Sequence, residues 1–444
     1  MDASEYKETV RGFFKSYSSL LVPIVIGLVG ALLFIPTQLM NSKLQEQIET
    51  GSISMGNTLQ SLGRNLVANN QWEVERGYQQ AHAGDANQIE LLAEQSTQRE
   101  LLSYNIFPEP DDSSSQIFKQ FGQEFCSAVG ELVTRVNARD CPTEAELERI
   151  KTGLGGRKSR KMRLSDVGAT IIDDLCCEKA ESASVYANRA DLSGYEFWEE
   201  YKYGTSSDSW DQAIRDCWYS QLAYWIIEDV IDTIGALNSA SKSVFTSEVK
   251  RLLDVSFPES GKKRTLLRAT SFTSRAGKKA TYHKPSYVLS VEEEAPETCT
   301  RRICSDDIDV VHFKVAVVVS TEAVLPFMRE LCSAKQHKFK GWDGEDNPPE
   351  TFKHNQITIL EYKIASVDRE DKIHELYRYG QDAVVELDLI CEYIFNKNGY
   401  DKIKPGAVKK SIEESLKEKK AKVKRVIRTR PSEKTGKKDE LLDM

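Results

Sequence analysis

Hydropathy along the chain opens with an uncharged run from Ser16 to Ser42, apolar at nearly every position between Leu20 and Pro36. At about 1.5 Å per helical residue, the 20 residues from Leu20 to Leu39 span roughly the 30 Å hydrocarbon core of a bilayer. The pattern predicts a single transmembrane helix over residues 18–40. Pro36 to Lys43 follows without an Ala-x-Ala cleavage pattern, so an uncleaved anchor is expected rather than a secretory signal. Beyond the span, Leu44, Ile48, Met55, Leu59, Leu62 and Leu66 recur at threes, fours and one seven, which puts an apolar stripe on one helix face. Gly51, Gly56 and Gly63 interrupt the heptads that a strict coiled coil requires. Gly27 and Ala31 lie four apart within the span, a spacing that lets membrane helices approach closely.

Further along, polar and Gln-rich sequence from Asn69 to Arg99 continues the predicted helical stalk, and Pro108 to Ser115 reads as a linker. Helical periodicity returns from Gln116 to Arg139. Two longer helices are predicted at Ser165–Asn188 and Ser209–Leu237. The second carries Trp210, Ile214, Trp218, Leu222, Trp225, Ile226, Val230 and Ile234, a broad face of the kind that forms a core. Ser239 to Phe257 reads as a polar turn, a short amphipathic helix and an extended end. Ser260 to Arg275 is basic and rich in Ser and Thr, and Ala280 to Glu292 suits a strand or hairpin arm.

The C-terminal third is the most legible part. Val310–Val319 is β-rich, Ser320–Cys332 follows as a short helix, and Gln356–Ile364 and Ala383–Phe395 alternate apolar and polar positions. Strand, helix, strand, strand, with a further helix at Lys409–Val426, predicts an α+β sandwich with helices on one face of a sheet. Alternation places Glu386, Asp388 and Glu392 on the wet face of the last strand.

Charge changes this picture in two places. Lys7, Arg11 and Lys15 precede the span while only Lys43 follows it closely, which predicts a cytoplasmic N-terminus and an extracytoplasmic body. A net charge of −8 over 444 residues argues against nucleic acid as a partner, although Arg149–Arg163, Lys262–Lys284 and Lys409–Lys438 are locally basic. Nine cysteines have no repeating spacing; Cys299 and Cys304 are the nearest candidates for a local disulfide. The adjacent Cys176 and Cys177 point in different directions on a helix. Cys299, Cys304 and His312 match no structural-zinc spacing, so neither metal nor cofactor is expected.

No nucleophile elbow, HExxH, dinucleotide-binding or kinase signature is present, and Leu154 to Ser159 lacks the spacing of a phosphate loop. No catalytic residue is therefore assigned, and the chain is not read as an enzyme. The densest polar clusters are His354–Asn355 and His374 with Tyr377, Arg378 and Tyr379, where acid–base or binding chemistry is weighed against solvent-facing loops.

The layout resembles the PilO-like and GspM-like inner-membrane alignment proteins of type IV pilus and type II secretion machines. It does so through the short N-terminus, the span at Leu20 to Leu39, the helical stretch from Asn41 to about Arg99 and the α+β unit at Ile308 to Phe395. The large region 106–305 and the basic tail depart from that layout. The resemblance implies a ferredoxin-like α+β domain that pairs with a similar protein.

The resulting expectation is an α+β protein in seven stretches. They are a cytoplasmic N-terminus (1–17), the transmembrane helix (18–40), a helical stalk (41–105), a mainly helical middle region (106–260), a basic linker with a hairpin (261–305), the ferredoxin-like domain (306–400) and a basic helix and tail (401–444). The expected function is a single-pass scaffold in the inner (cytoplasmic) membrane, its bulk periplasmic or otherwise extracytoplasmic. It contacts lipid and forms homo- or hetero-oligomers with other single-pass proteins through Leu44, Ile48, Leu59, Leu62, Leu66, Gly27 and Ala31. A membrane-anchored ligand sensor with a pocket in the Trp-rich middle region, and an anchored envelope enzyme, are the alternatives.

Overall fold

The computed structural model describes residues 18–64, 69–111, 114–155, 164–204, 209–258, 283–289, 300–342 and 348–429. Residues 1–17, Leu66, Cys299, Ser260–Arg275, most of the basic stretch 153–163 and the tail beyond Thr429 lie outside that set. The chain divides into two compact units, Met1–Asn87 and Gln88–Met444.

In the first unit the apolar run forms α1 (Ser18–Ile48), joined by a π-turn at Glu49–Ile53 to α2 (Ser54–Arg64) and then α3 (Asn69–Gln95), which runs on into the second unit. The π-turn falls in the seven-residue step of the stripe between Ile48 and Met55, where an extra residue per turn shifts the phase of the face. Ile26, Leu28, Val29, Leu32 and Phe34 are exposed, and at 3.6 residues per turn they are spread around the whole circumference of α1. Among the described residues no helix is long and apolar enough to cross a membrane. The expected span at 18–40 is helical, and its side chains at 18–22, 24, 25, 31, 33, 35–37 and 39 lie outside the described set.

The second unit is built on a six-stranded sheet in the order β1-β2-β3-β4-β8-β7. Its strands are β1 (Ala138–Arg139), β2 (Val185–Tyr186), β3 (Val249–Ser256), β4 (Ile308–Ser320), β7 (Ile357–Ser366) and β8 (Val384–Asn396). β1–β2 and β2–β3 are parallel, and the remaining pairs are antiparallel. A separate two-stranded sheet pairs β5 (Lys335–Phe339) with β6 (Glu350–His354). The helices of this unit are α4 (Gln116–Arg135), α5 (Glu144–Gly155), α6 (Leu164–Glu181), α7 (Tyr195–Glu199), α8 (Ser209–Leu237), α9 (Val324–Leu331), α10 (Lys397–Tyr400) and α11 (Gly406–Thr429).

β4 is a nearly continuous apolar run because both its faces are buried. Val311, Phe313, Val315, Val317 and Val319 join the larger core with α4 and α8, whereas Ala316 and Val318 join a smaller cluster with Ala180, Tyr186, Leu253 and Tyr379. The stripe of α8 is core as expected: Ile214, Trp218, Leu222, Trp225, Ile226, Val230 and Ile234 are buried, and Trp210 packs against them. Each such side chain contributes roughly 1.5–3 kcal/mol by leaving water.

Several expectations change. The helix expected from Gln116 to Arg139 ends at Arg135, and Ala138–Arg139 becomes β1. The helix expected at Ser165–Asn188 ends at Glu181, and Val185–Tyr186 becomes β2. The short helix expected within Ser239–Phe257 is replaced by the buried strand β3, whose pattern is disguised by Lys250; its ammonium donates to the carbonyls of Val244 and Phe245 and to Asp382 at 3.1, 2.9 and 2.6 Å. Of the range 306–400, only β4, β7 and β8 enter the main sheet, which continues into β3, β2 and β1. The sheet is thus shared with strands that lie before that range.

The carboxylates on β8 are also not wet. Glu386 is 6% and Glu392 0% exposed, and each of the three acids has a partner: His374 for Glu386, Lys314 for Asp388 at 3.6 Å, and Arg302 with Thr300 for Glu392. Cys176 is buried and Cys177 half-buried, both free thiols, as their neighbouring helical positions require.

Candidate functional site

The segment Ser96–Leu102, which follows α3, is pinned at successive positions. Thr97 Oγ1 donates to the carbonyl of Asn396 at 3.0 Å. The indoles of Trp342 and Trp225 donate to the carbonyls of Arg99 and Glu100, both at 3.0 Å. Leu102 N donates to Gln221 Oε1 at 2.8 Å. Gly399 is required here: a Cβ would lie 2.1 Å from Thr97 Oγ1 and 2.2 Å from the carbonyl oxygen of Glu94.

This segment delivers Arg99 into the core. Its guanidinium donates to Tyr393 Oη at 2.8 Å and to Glu228 Oε2 at 2.6 Å, and lies 3.0 Å from Asp229 Oδ1. Burial alone favours loss of the charge, but Asp229, Tyr393 and Glu228 outweigh it and hold Arg99 well above its ordinary pKa. Asp229 mirrors this behaviour: burial pushes its carboxyl up, but Arg99, His354 and the hydrogen bonds from His354 and Tyr393 bring it well below the usual range. The Tyr393 phenol, raised by burial and by Asp229, stays protonated and donates to Asp229 Oδ2 at 2.7 Å.

From Asp229 a chain runs through two imidazoles. His354 Nε2 lies 3.0 Å from Asp229 Oδ2, His354 Nδ1 lies 2.9 Å from His337 Nδ1, and His337 Nε2 lies 2.9 Å from the carbonyl oxygen of Gln98. Burial, then Arg99 and His354, push His337 down to about 4. Both rings sit on the β5–β6 hairpin, whose Lys335 donates to the terminal carbonyls of Glu330 and Leu331 in α9 at 3.1 and 2.9 Å, where the helix dipole favours a cation.

A cavity of about 560 Å³ borders the chain, between Arg99–Leu102, the Tyr224–Asp232 stretch of α8, Arg135 of α4 and the Gln336–Lys338 stretch of β5. Both nitrogens of His337 are engaged within the protein, so it offers no free base to a ligand there. The arrangement instead ties a hairpin, a helix and an entering segment together through charge.

His374 lies on the opposite face of the sheet. Its Nε2 is 2.7 Å from Glu386 Oε1, and its Nδ1 is 2.7 Å from Tyr379 Oη. Burial, opposed by Arg251, leaves Tyr379 at about 12. The Arg251 guanidinium sits 3.4 Å above the Tyr377 ring, and Tyr377 donates to Asp140 at 2.7 Å. The two polar clusters expected from sequence are therefore distinct sites: His354, His374 and Tyr379 are buried, Tyr377 and Arg378 are half-buried, and Asn355 is exposed.

The interaction residues expected from sequence lie elsewhere. Leu44, Ile48 and Leu59 are 55%, 48% and 66% exposed on α1 and α2. A Cβ added at Gly27 meets nothing within 4 Å. The side chains of Ala31 and Leu62 lie outside the described set, as does Leu66. Arg99, Asp229 and His337 were missed. The one sequence signal for them is Asp229 itself, an acid set between Trp225, Ile226 and Val230 on the apolar face of α8.

No family model and no curated protein matches the chain. Among solved structures, a crystal structure from Akkermansia muciniphila aligns at 9% identity over 64% of this chain and 96% of that chain, with a TM-score of 0.21. A likeness at that level carries no argument about fold or function.

Proposed function

We propose that this protein is a single-pass, membrane-anchored scaffold, similar in layout to the PilO-like and GspM-like proteins, that assembles with other single-pass proteins through its N-terminal helices. The observation that carries the reading is the apolar run of α1, whose residues Ile26, Leu28, Val29, Leu32 and Phe34 are exposed around the helix. A helix apolar on all sides suits a hydrocarbon environment. The stripe Leu44, Ile48 and Leu59, also exposed, then suits a partner helix, because an anchored stalk searches for its partner in two dimensions. In this reading the body lies on the extracytoplasmic side of the inner membrane.

The test is expression of the full chain followed by alkaline extraction of membranes and crosslinking in place. Retention in the extracted membrane and capture of single-pass neighbours support the reading, and release into the soluble fraction overturns it. Replacing Leu59, Leu62 and Leu66 together by Asp should abolish the captured species while leaving the protein in the membrane. Assembly that survives the triple change removes the stalk from the proposal. The cavity of about 560 Å³ beside Trp225 favours a ligand sensor as a second reading, for which thermal stabilisation by a small-molecule panel is the discriminating measurement.

A further inference from the structure

The hydrogen bonds between Asp229 and the carbonyl of Gln98 can be counted. Two imidazoles present four ring nitrogens, and they face a carboxylate at one end, a carbonyl at the other and each other in the middle. Carboxylate and carbonyl only accept, so each end contact needs a ring N–H. The 2.9 Å contact between the two Nδ1 atoms has room for one hydrogen. The closed chain therefore holds three ring hydrogens at most, whereas two separated, solvated rings hold four once both are charged.

We infer that the chain Asp229–His354–His337–Gln98 is an acid-released clamp, by which the β5–β6 hairpin holds the segment Thr97–Leu102 against α8. The inference stands apart from the scaffold reading, since it concerns the second unit alone. Among the described residues, the hairpin is fastened to its surroundings by the two end contacts, by Trp342 of its connection, which reaches the Arg99 carbonyl, and by Lys335, which reaches the end of α9. The central contact lies within the hairpin, across its two strands, so a fourth ring hydrogen, which has no acceptor there, turns one ring away and breaks its end contact with Asp229 or Gln98. A lone two-stranded hairpin is marginal by itself, and it loosens without unfolding the six-stranded sheet.

The charges facing the pair set the direction. Arg99 and Glu100 come from the segment, Glu228, Asp229 and Asp232 from α8, Arg135 from α4, Tyr393 from β8, and Lys335 and Lys338 from β5. Arg99 disfavours a second imidazolium, and His337 stays neutral down to about 4. A histidine held below its ordinary value of about 6.5 contributes stability above that value and loses it as pH falls toward the folded value. Opening that takes up one proton is then favoured about tenfold per pH unit between roughly 6.5 and 4.

The test is hydrogen–deuterium exchange on the full chain between pH 7.5 and 4.5, read as protection factors corrected for intrinsic exchange. Amides of Thr97–Leu102, Lys335–Phe339 and Glu350–His354 should hold their protection down to about pH 6.5 and then lose about tenfold per unit, while those of β4 stay protected. In His337→Gln the slope in these peptides should flatten. Unchanged protection in the clamp peptides, parallel loss in β4, or an undiminished slope in His337→Gln overturns the inference. Should the variant not fold, the wild-type profile decides.

Discussion

His354 and His374 each set one ring nitrogen on a buried carboxylate, Asp229 at 3.0 Å and Glu386 at 2.7 Å, yet they differ in what meets the other nitrogen. For His374 it is the Tyr379 hydroxyl at 2.7 Å, a group that can donate to a neutral ring or turn and accept from a charged one. For His354 it is a second imidazole whose far nitrogen faces a carbonyl. A phenol absorbs a change of protonation by rotating its hydrogen, while a chain of two imidazoles with an acceptor at each end has room for one added hydrogen and no second. The same residue pair, histidine and acid, thus makes a lock on one face of the sheet and a proton-counting clamp on the other.

The largest effect expected from breaking this comparison is at Asp229. Asp229→Ala takes one of the two carboxylates from the Arg99 guanidinium, of which only 3% of the side chain is exposed, leaving Glu228 and Tyr393, and removes the partner of His354. Loss of one member of a buried ion pair costs about 3–5 kcal/mol. Glu386→Ala takes the partner of His374 Nε2 away, so about 1–3 kcal/mol is expected from an unsatisfied buried polar group. Urea denaturation of both variants should rank them in that order. Equal losses would mean that Arg99 is not held mainly by Asp229.

A second change sharpens the contrast by moving only the entering segment. Gly399→Ala drives a methyl group into Thr97 Oγ1 and the Glu94 carbonyl, and overpacking of this kind costs about 1–3 kcal/mol. Exchange protection should fall at residues 94–102 and remain unchanged around His374. Tyr379→Phe is smaller: it deletes one buried hydrogen bond and leaves His374 Nδ1 without its donor, for about 1–2 kcal/mol. Its loss should be confined to the face that carries Tyr186 and Leu253.

What was legible in the sequence follows how local each signal is. Trp210 to Ile234 announced α8 and its buried face through spacing alone, and Val310–Val319 announced β4 through composition. β3 was obscured because Lys250 is buried through bonds to carbonyls that lie near it only after folding. β5 was obscured because Lys335 to Phe339 has no apolar alternation; its partners are Gln98 and the end of α9. The site was the least legible of all. Arg99 reaches Tyr393 across 294 positions, and nothing in the local pattern around Arg99 separated it from the helical stalk to which it was assigned.

The smallest expected effect lies at the rim of the cavity, where Arg135 pairs with Asp232 and their side chains are 49% and 36% exposed. An exposed pair contributes about 0.2–1 kcal/mol, so Arg135→Ala should cost no more than that at pH 7. Its pH dependence carries the information. Burial holds the Asp232 carboxyl above its usual range, Arg135 works against that, and Glu228 and Asp229 add to it. An acid raised in the folded state favours folding when protonated and opposes it as pH rises through the unfolded value near 3.9. Deleting Arg135 raises Asp232 further, so the penalty should be absent at pH 3 and reach its full size by pH 7 in paired denaturation curves. A penalty that is the same at both pH values would assign the role of Arg135 to packing of its aliphatic stem and would detach the rim from the charge balance that governs His337.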